Sequence, residues 1–101
     1  MSEIIDVIQQ GGGYKLILES GSTLVTRYSS ADLVGFNEDY FVVDAGDYAI
    51  VLDASGDTHA QIQLLGRSVT RVAGGSIYVR DGNYSVRYDM HGNRLGQTQH
   101  F

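Results

Sequence analysis

The chain has 101 residues and a mass of 11.0 kDa, which is enough for a single domain with one core. Its 43% hydrophobic and 19% charged residues exclude a disordered chain, and the absence of cysteine excludes disulfides and thiolate metal sites. The formal net charge of -5, from 7 basic and 12 acidic residues, argues against nucleic acid as a partner.

No targeting or membrane segment is recognisable. The first residues carry an acid at Glu3 and no basic segment followed by an apolar run. No stretch approaches the ~20 apolar residues that span a bilayer. We therefore expect a soluble, cytoplasmic protein that does not bind membranes.

Short segments rich in Val, Ile, Leu, Tyr and Phe alternate with clusters of Gly, Asp, Asn and Ser, which is typical of short antiparallel strands. The predicted strands are Ile4–Gln9, Tyr14–Glu19, Thr23–Tyr28, Leu33–Phe36, Tyr40–Asp44, Tyr48–Asp53, Thr58–Leu64, Ser68–Val72, Ser76–Arg80, Tyr84–Asp89 and Arg94–His100. They form a single all-β repeat domain with units of approximately 1–30, 31–66 and 67–101. The units have three, four and four strands, because the first lacks its opening strand.

An internal repeat defines these units. Residues 46–63, GDYAIVLDASGDTHAQIQ, recur 36 positions later as GNYSVRYDMHGNRLGQTQ. A degraded copy, GYKLILESGSTLVTRY, begins at Gly13 with an offset of 34 or 35, which we attribute to deletions in its turns. Repeats of this kind bury the apolar face of each unit against its neighbour.

The third unit resembles one blade of a β-propeller of the NHL type, on the residues GSIYVRDGNYSVRYDMHGNRLGQT. Its segment YDMHGNRL is also similar to the YD repeats of large bacterial surface proteins. The resemblance covers one repeat unit and implies a four-stranded blade. Closed propellers have roughly four to eight blades, so three units would form an open half ring with apolar faces and strand edges in water.

Two architectures follow from this mismatch. We expect a homodimer whose two chains complete a six-bladed ring. The alternative is a monomer with three pseudo-equivalent units around a threefold axis, as in β-prism or β-trefoil proteins.

Two sets of equivalent residues have structural explanations. Asp53 and Asp89, with Glu19 in the degraded copy, end a strand before a glycine turn, where a carboxylate accepts backbone N–H groups. Tyr14, Tyr48 and Tyr84 each open a strand after a glycine-containing turn, and we expect their rings to pack between units.

The basic residues are unevenly distributed, since five of the seven lie between positions 67 and 94. This excess predicts either a solvated face or a head-to-tail interface with the acidic second unit. Arg71 lies on the strand that would be innermost in a propeller. The candidate ligand-binding residues are Arg71, Arg67, Arg80 and Tyr78.

No residues with catalytic or metal-binding spacing are found. His59, His91 and His100 lack the separations typical of metal ligands, and no nucleophile motif is present. We expect no metal, cofactor or catalytic residue, and an enzyme is the less favoured class. The expected function is a non-catalytic binding or interaction module that self-associates and takes a small anionic or sugar-like ligand or a protein partner. The alternatives are a small lyase or hydrolase with a site in a central channel, and an accessory or inhibitory partner protein.

Overall fold

A computed structural model describes residues 3–10, 13–21, 23–27 and 31–99, which form strands and turns but no helix. The strands are β1 (Ile4–Gln10), β2 (Gly13–Leu18), β3 (Thr23–Arg27), β4 (Asp32–Phe36), β5 (Tyr40–Asp44), β6 (Tyr48–Asp53), β7 (Thr58–Gln63), β8 (Ser68–Ala73), β9 (Ser76–Asp81), β10 (Tyr84–Asp89) and β11 (Arg94–Gln99).

These strands form three antiparallel sheets, in which each strand pairs with its neighbours in sequence. The first sheet contains β1 to β3, the second β4 to β7 and the third β8 to β11. The predicted all-β class and the division into three, four and four strands are confirmed. Strand ends agree to within one residue, except that the predicted ends at Tyr28 and His100 lie outside the described residues.

The second and third sheets have the same register at the 36-residue offset. Each contains an extra, unpaired residue between its first two strands, at Val34 and at Thr70. Each contains another between its last two strands, at His59 and at Leu95. Such bulges change which face a side chain occupies, so the repeat reproduces the positions of individual side chains as well as the strands.

The first sheet follows the second at an offset of 35 in β1 and β2. The pair Asp6 and Ile17 matches Phe41 and Leu52, for example. No bulge separates β2 from β3, where consecutive residues pair without interruption. The offset is 35 instead of 36 because the first sheet lacks the bulge residue that the second sheet has at His59. The expectation that deletions in turns explain the offset is wrong.

This offset corrects one predicted equivalence. Tyr14 corresponds to Ala49, whereas Tyr48 corresponds to Tyr84. A shift of one residue moves a strand side chain to the opposite face of the sheet. Accordingly Tyr14 is 1% exposed and packs on Phe41, with ring centroids 5.6 Å apart, while Tyr48 and Tyr84 are each 40% exposed.

The second sheet lies between the other two and is buried on both faces. One face packs against the third sheet, through Val42, Ala49, Val51 and Ile62 against Ile77, Val79, Val86 and Tyr88. The other face packs against the first sheet, through Phe41, Val43, Ile50 and Leu52 against Ile4, Val7, Tyr14 and Leu16. This arrangement explains the uninterrupted apolar runs of β5 and β6, since neither face of these strands meets water.

The opening strands bring the sheets together, because β4 lies against both β1 and β8. Gly35 of β4 contacts Val72 of β8 so closely that a Cβ atom at Gly35 would lie 2.7 Å from the Val72 Cβ. None of the three sheets described here closes on itself.

The outer faces of the two end sheets differ in composition from the buried faces. In the third sheet, the residues 36 positions after Val42, Ala49, Val51 and Ile62 are Tyr78, Ser85, Arg87 and Thr98. In the first sheet, the residues 35 positions before Phe41, Val43, Ile50 and Leu52 are Asp6, Ile8, Lys15 and Ile17, so charged and apolar side chains share its outer face. A polar outer face, as in the third sheet, is typical of the terminal units of repeat arrays. The expected apolar open face is therefore absent from the described third sheet.

Replacing Gly35 with alanine should destabilise the fold. The new methyl group would overlap the first side-chain carbon of Val72, which cannot move without its backbone, and overpacking of this kind costs about 1–3 kcal/mol. Urea unfolding would measure the loss. The double variant Gly35→Ala, Val72→Gly should lose less than the sum of the single variants, because glycine removes the Val72 Cβ that the new methyl group meets. Wild-type stability of Gly35→Ala would contradict the close approach.

Candidate functional site

A groove of about 350 Å³ lies on the outer face of the third sheet. It is lined by Thr70, Arg71, Tyr78, Arg80, Ser85 and Thr98. All four strands of the sheet contribute, and no lining residue is acidic. The groove is therefore a locally cationic surface on a chain with a net charge of -5.

The bulge at Thr70 places Arg71 in this groove. Because Val69 pairs with Val79, uninterrupted pairing would set Arg71 opposite buried Ile77, on the core side. The extra residue shifts the register, so Arg71 pairs with Tyr78 and lies on the outer face. The Thr70 hydroxyl supports the bulge by donating to the Tyr78 carbonyl at 3.2 Å.

Arg71 and Tyr78 form a cation–π pair, with the guanidinium carbon 4.4 Å from the ring centroid. Stacking of this kind holds the guanidinium flat and leaves its N–H edge available to a ligand. Arg80, on the adjacent strand, donates from Nε to the Gly82 carbonyl at 3.1 Å. Two guanidinium groups thus share the groove with the hydroxyls of Ser85 and Thr98.

Arg67, the fourth predicted binding residue, lies apart from this groove. It donates from Nε to the Leu64 carbonyl at 2.7 Å and from Nη2 to the Gln63 carbonyl at 2.7 Å. Its Nη1 donates to the hydroxyl of Tyr88 at 3.1 Å. Arg67 therefore fastens the turn between the second and third sheets to the core. The structure brings together Arg71, Tyr78 and Arg80, whose role in binding stays a prediction.

Asp53 and Asp89 close equivalent turns, as the sequence predicted. Asp53 Oδ1 accepts from the Ser55 amide at 2.9 Å, the Ser55 hydroxyl at 2.6 Å and the Asp57 amide at 3.1 Å. Asp89 Oδ1 accepts from the amides of His91 and Asn93, both at 2.9 Å.

These hydrogen bonds favour the ionised carboxylates. The Ser55 hydroxyl, followed by the Asp57 and Ser55 amides, lowers the pKa of Asp53 below its ordinary 3.8, against a smaller opposing effect of burial. The amide of Asn93, with its side chain and the His91 amide, lowers the pKa of Asp89 in the same way.

The first sheet does not use Glu19 at the equivalent position. The Gly21 amide donates to the Leu18 carbonyl at 2.9 Å, just as the Gly56 amide donates to Asp53 at 3.0 Å. Leu18 therefore corresponds to Asp53, and the prediction for Glu19 is wrong by one residue. The predicted equivalence of Glu19 with Asp53 and that of Tyr14 with Tyr48 fail for the same reason. Both assume an offset of 34 residues between the first and second sheets, whereas the offset is 35.

A pair of histidines that the sequence did not associate lies between the second and third sheets. His59 Nε2 is 2.8 Å from His91 Nδ1. The Tyr40 ring stacks on His59 at 4.6 Å and meets His91 edge-on at 6.2 Å between centroids. Their separation of 32 residues carries no signal, because their proximity depends on how one sheet packs on the next.

The groove is lined by hydrogen-bonding and cationic side chains. Its titratable side chains are Arg71, Arg80 and Tyr78, which supply hydrogen-bond donors and positive charge but no carboxylate or imidazole to act as a general base at neutral pH. Within residues 3–10, 13–21, 23–27 and 31–99, no group of three or more His, Asp or Glu side chains is arranged to hold a metal ion.

Comparison of the chain with protein-family models, curated proteins and solved structures gave no match. In the described part of the chain, no helix is long and apolar enough to cross a membrane.

Acid should weaken the two aspartate turns. Because the folded-state pKa of each carboxylate lies below the unfolded value of 3.8, each stabilises the fold above that value, and the contribution is lost as pH falls through the folded-state pKa. The double variant Asp53→Asn, Asp89→Asn should therefore be less stable than wild type at pH 7. The difference should shrink below about pH 4, as urea unfolding at each pH would show. A difference that stays constant with pH would contradict this account.

Proposed function

We propose that this protein is a non-catalytic binding module whose third sheet takes a small anionic ligand, of the class of acidic sugars, in the groove of Arg71, Tyr78 and Arg80. The observation that supports it most directly is the change in residues between equivalent faces. Val42, Ala49 and Ile62 are buried in the second sheet, whereas Tyr78, Ser85 and Thr98 line a groove in the third.

Capping the array explains why this face is polar but does not explain its charge. A solvated cap is served by charges of both signs. The groove instead contains two arginines and no acid. Guanidinium groups recognise carboxylates and sulfates through paired N–H donors, which favours an anionic ligand.

The remaining lining residues suit a hydroxyl-bearing ligand. The hydroxyls of Ser85 and Thr98 both donate and accept hydrogen bonds, as sugar hydroxyls require. A volume of about 350 Å³ lies at the small end of the range for small-molecule sites.

We also propose that the protein self-associates through the outer face of its first sheet. Ile5 is 57% exposed and Ile8 is 40% exposed there, next to Asp6 and Lys15 on the paired strands. In a twofold dimer this face would meet itself, so Asp6 of one copy could pair with Lys15 of the other while the isoleucines are covered. This arrangement leaves the groove of the third sheet open.

The half-ring dimer is the competing arrangement. It would set the first sheet of one chain against the third sheet of the other and cover the groove, with Asp6 facing the arginines. A lyase or hydrolase would need a general base, which the groove lining lacks. An accessory partner protein would use the Ile5 and Ile8 face for a different chain, and a monomer in solution would favour that alternative.

Substitution of the groove arginines should remove ligand binding. Arg71→Gln and Arg80→Gln should each weaken binding of glucuronate about tenfold or more, because each removes a charge-assisted hydrogen bond. NMR titration of the backbone amides would measure it, with glucose as the uncharged comparison. Arg94→Gln is the matched control outside the groove lining. Equal weakening by all three variants would contradict a specific site. So would chemical-shift changes that are absent or spread beyond β8–β11.

Solution mass should identify the self-association face. We expect a mass near twice 11.0 kDa by light scattering, and Ile8→Lys should return it to the monomer. Leu95→Lys is the matched control, since Leu95 is also exposed but lies on the third sheet. Dissociation by Arg80→Glu as well as by Ile8→Lys would favour the half ring instead, because the half ring buries both the first-sheet face and the groove.

A further inference from the structure

His59 and His91 are brought together by independent parts of the repeat. His59 is the extra residue of the bulge between β6 and β7. His91 lies in the Asp89 turn of the third sheet, where its amide donates to Asp89 Oδ1 at 2.9 Å. The neighbouring Gly92 packs against β7, where an added Cβ atom would lie 3.4 Å from the Gln61 carbonyl oxygen. The backbone positions of both histidines are therefore fixed by contacts other than the one between the two imidazole rings.

The two rings are also held by a shared aromatic neighbour. Tyr40 stacks on His59 with 27° between the ring planes and meets His91 edge-on at 78°. Both histidines are exposed, so an ion from solvent can reach them. A hydrogen bond between two exposed neutral imidazoles competes with water and stabilises the fold little, so it is a weak explanation for this arrangement.

We propose that His59 Nε2 and His91 Nδ1 form a two-imidazole site for a divalent transition-metal ion of the class of Cu²⁺. Two nitrogens at bond lengths of roughly 2.0–2.1 Å and a right angle lie roughly 2.8–3.0 Å apart, whereas a tetrahedral angle separates them by roughly 3.3–3.4 Å. The observed separation is 2.8 Å. It fits adjacent positions of a tetragonal ion, the geometry that Cu²⁺ and Ni²⁺ prefer with nitrogen and oxygen ligands.

Metal binding requires a change of tautomer in one of the two rings. In the metal-free pair, the 2.8 Å hydrogen bond places a proton on one of the two facing nitrogens. On binding, that proton moves through solvent to the outer nitrogen of its ring, so that His59 carries its proton on Nδ1 and His91 on Nε2. Binding by the neutral pair then releases no proton. Water completes the coordination, because the described residues offer no third His, Asp or Glu side chain to the site.

The direct test is titration of the untagged protein with Cu²⁺, followed by calorimetry and by tyrosine fluorescence. The chain has no tryptophan, so fluorescence reports its 7 tyrosines, and Cu²⁺ at this site should quench Tyr40. We expect one ion per chain and an electron paramagnetic resonance spectrum with two imidazole nitrogens. Mg²⁺, which prefers oxygen ligands, should not bind.

Variants separate this site from other binding. His59→Gln and His91→Gln each remove one nitrogen ligand and should each weaken Cu²⁺ binding by at least about tenfold. The double variant has neither ligand and should bind no more tightly than either single variant. His100→Gln is the matched histidine control. Tyr40→Phe should keep binding and lose part of the quenching. His59 lies on an exposed bulge, so His59→Gln keeps the test valid if His91→Gln fails to fold. Equal affinity of the wild type and the double variant, or an equal loss in His100→Gln, would overturn the proposal.

Discussion

Burial of the second sheet on both faces is the constraint on which the rest of the structure depends. β5 and β6 present apolar side chains to both sides, and neither face can remain in water without a cost of about 25 cal/mol per Å². The first and third sheets each cover one face. A stack of three sheets is therefore the smallest arrangement in which this repeat can bury its central unit.

The same repeat supplies both the buried faces and the candidate site. The second and third sheets share register and bulges at an offset of 36, so Tyr78 and Ser85 stand where Val42 and Ala49 stand one sheet earlier. Apolar residues at these positions join one sheet to the next, and polar residues end the array. An end face without a neighbour is available for other chemistry, and in the third sheet it is a cationic groove.

Local sequence patterns predicted the strands, because runs such as Tyr48–Asp53 and the Asp–Gly turns after them specify strand and turn without reference to the rest of the chain. They could not predict every face. The unpaired residue Thr70 turns Arg71 to the outer face, and the offset of 35 between the first two sheets places Tyr14 in the core. The face that a side chain occupies is therefore assigned wrongly wherever the sequence does not reveal a bulge. The contact between His59 and His91, and the separation of Arg67 from the groove, depend on packing between sheets, which spacing does not encode.

Amide hydrogen exchange by NMR tests the central claim, that the second sheet is covered on both faces and the third on only one. β5 and β6 have the same pairing as β9 and β10, so the two pairs of strands differ mainly in what covers them. The account predicts slower exchange at Val42 and Ile50 than at their equivalents Tyr78 and Val86, because opening β5 or β6 requires separating two sheet interfaces. Equal rates, or slower exchange in β9 and β10, would contradict it.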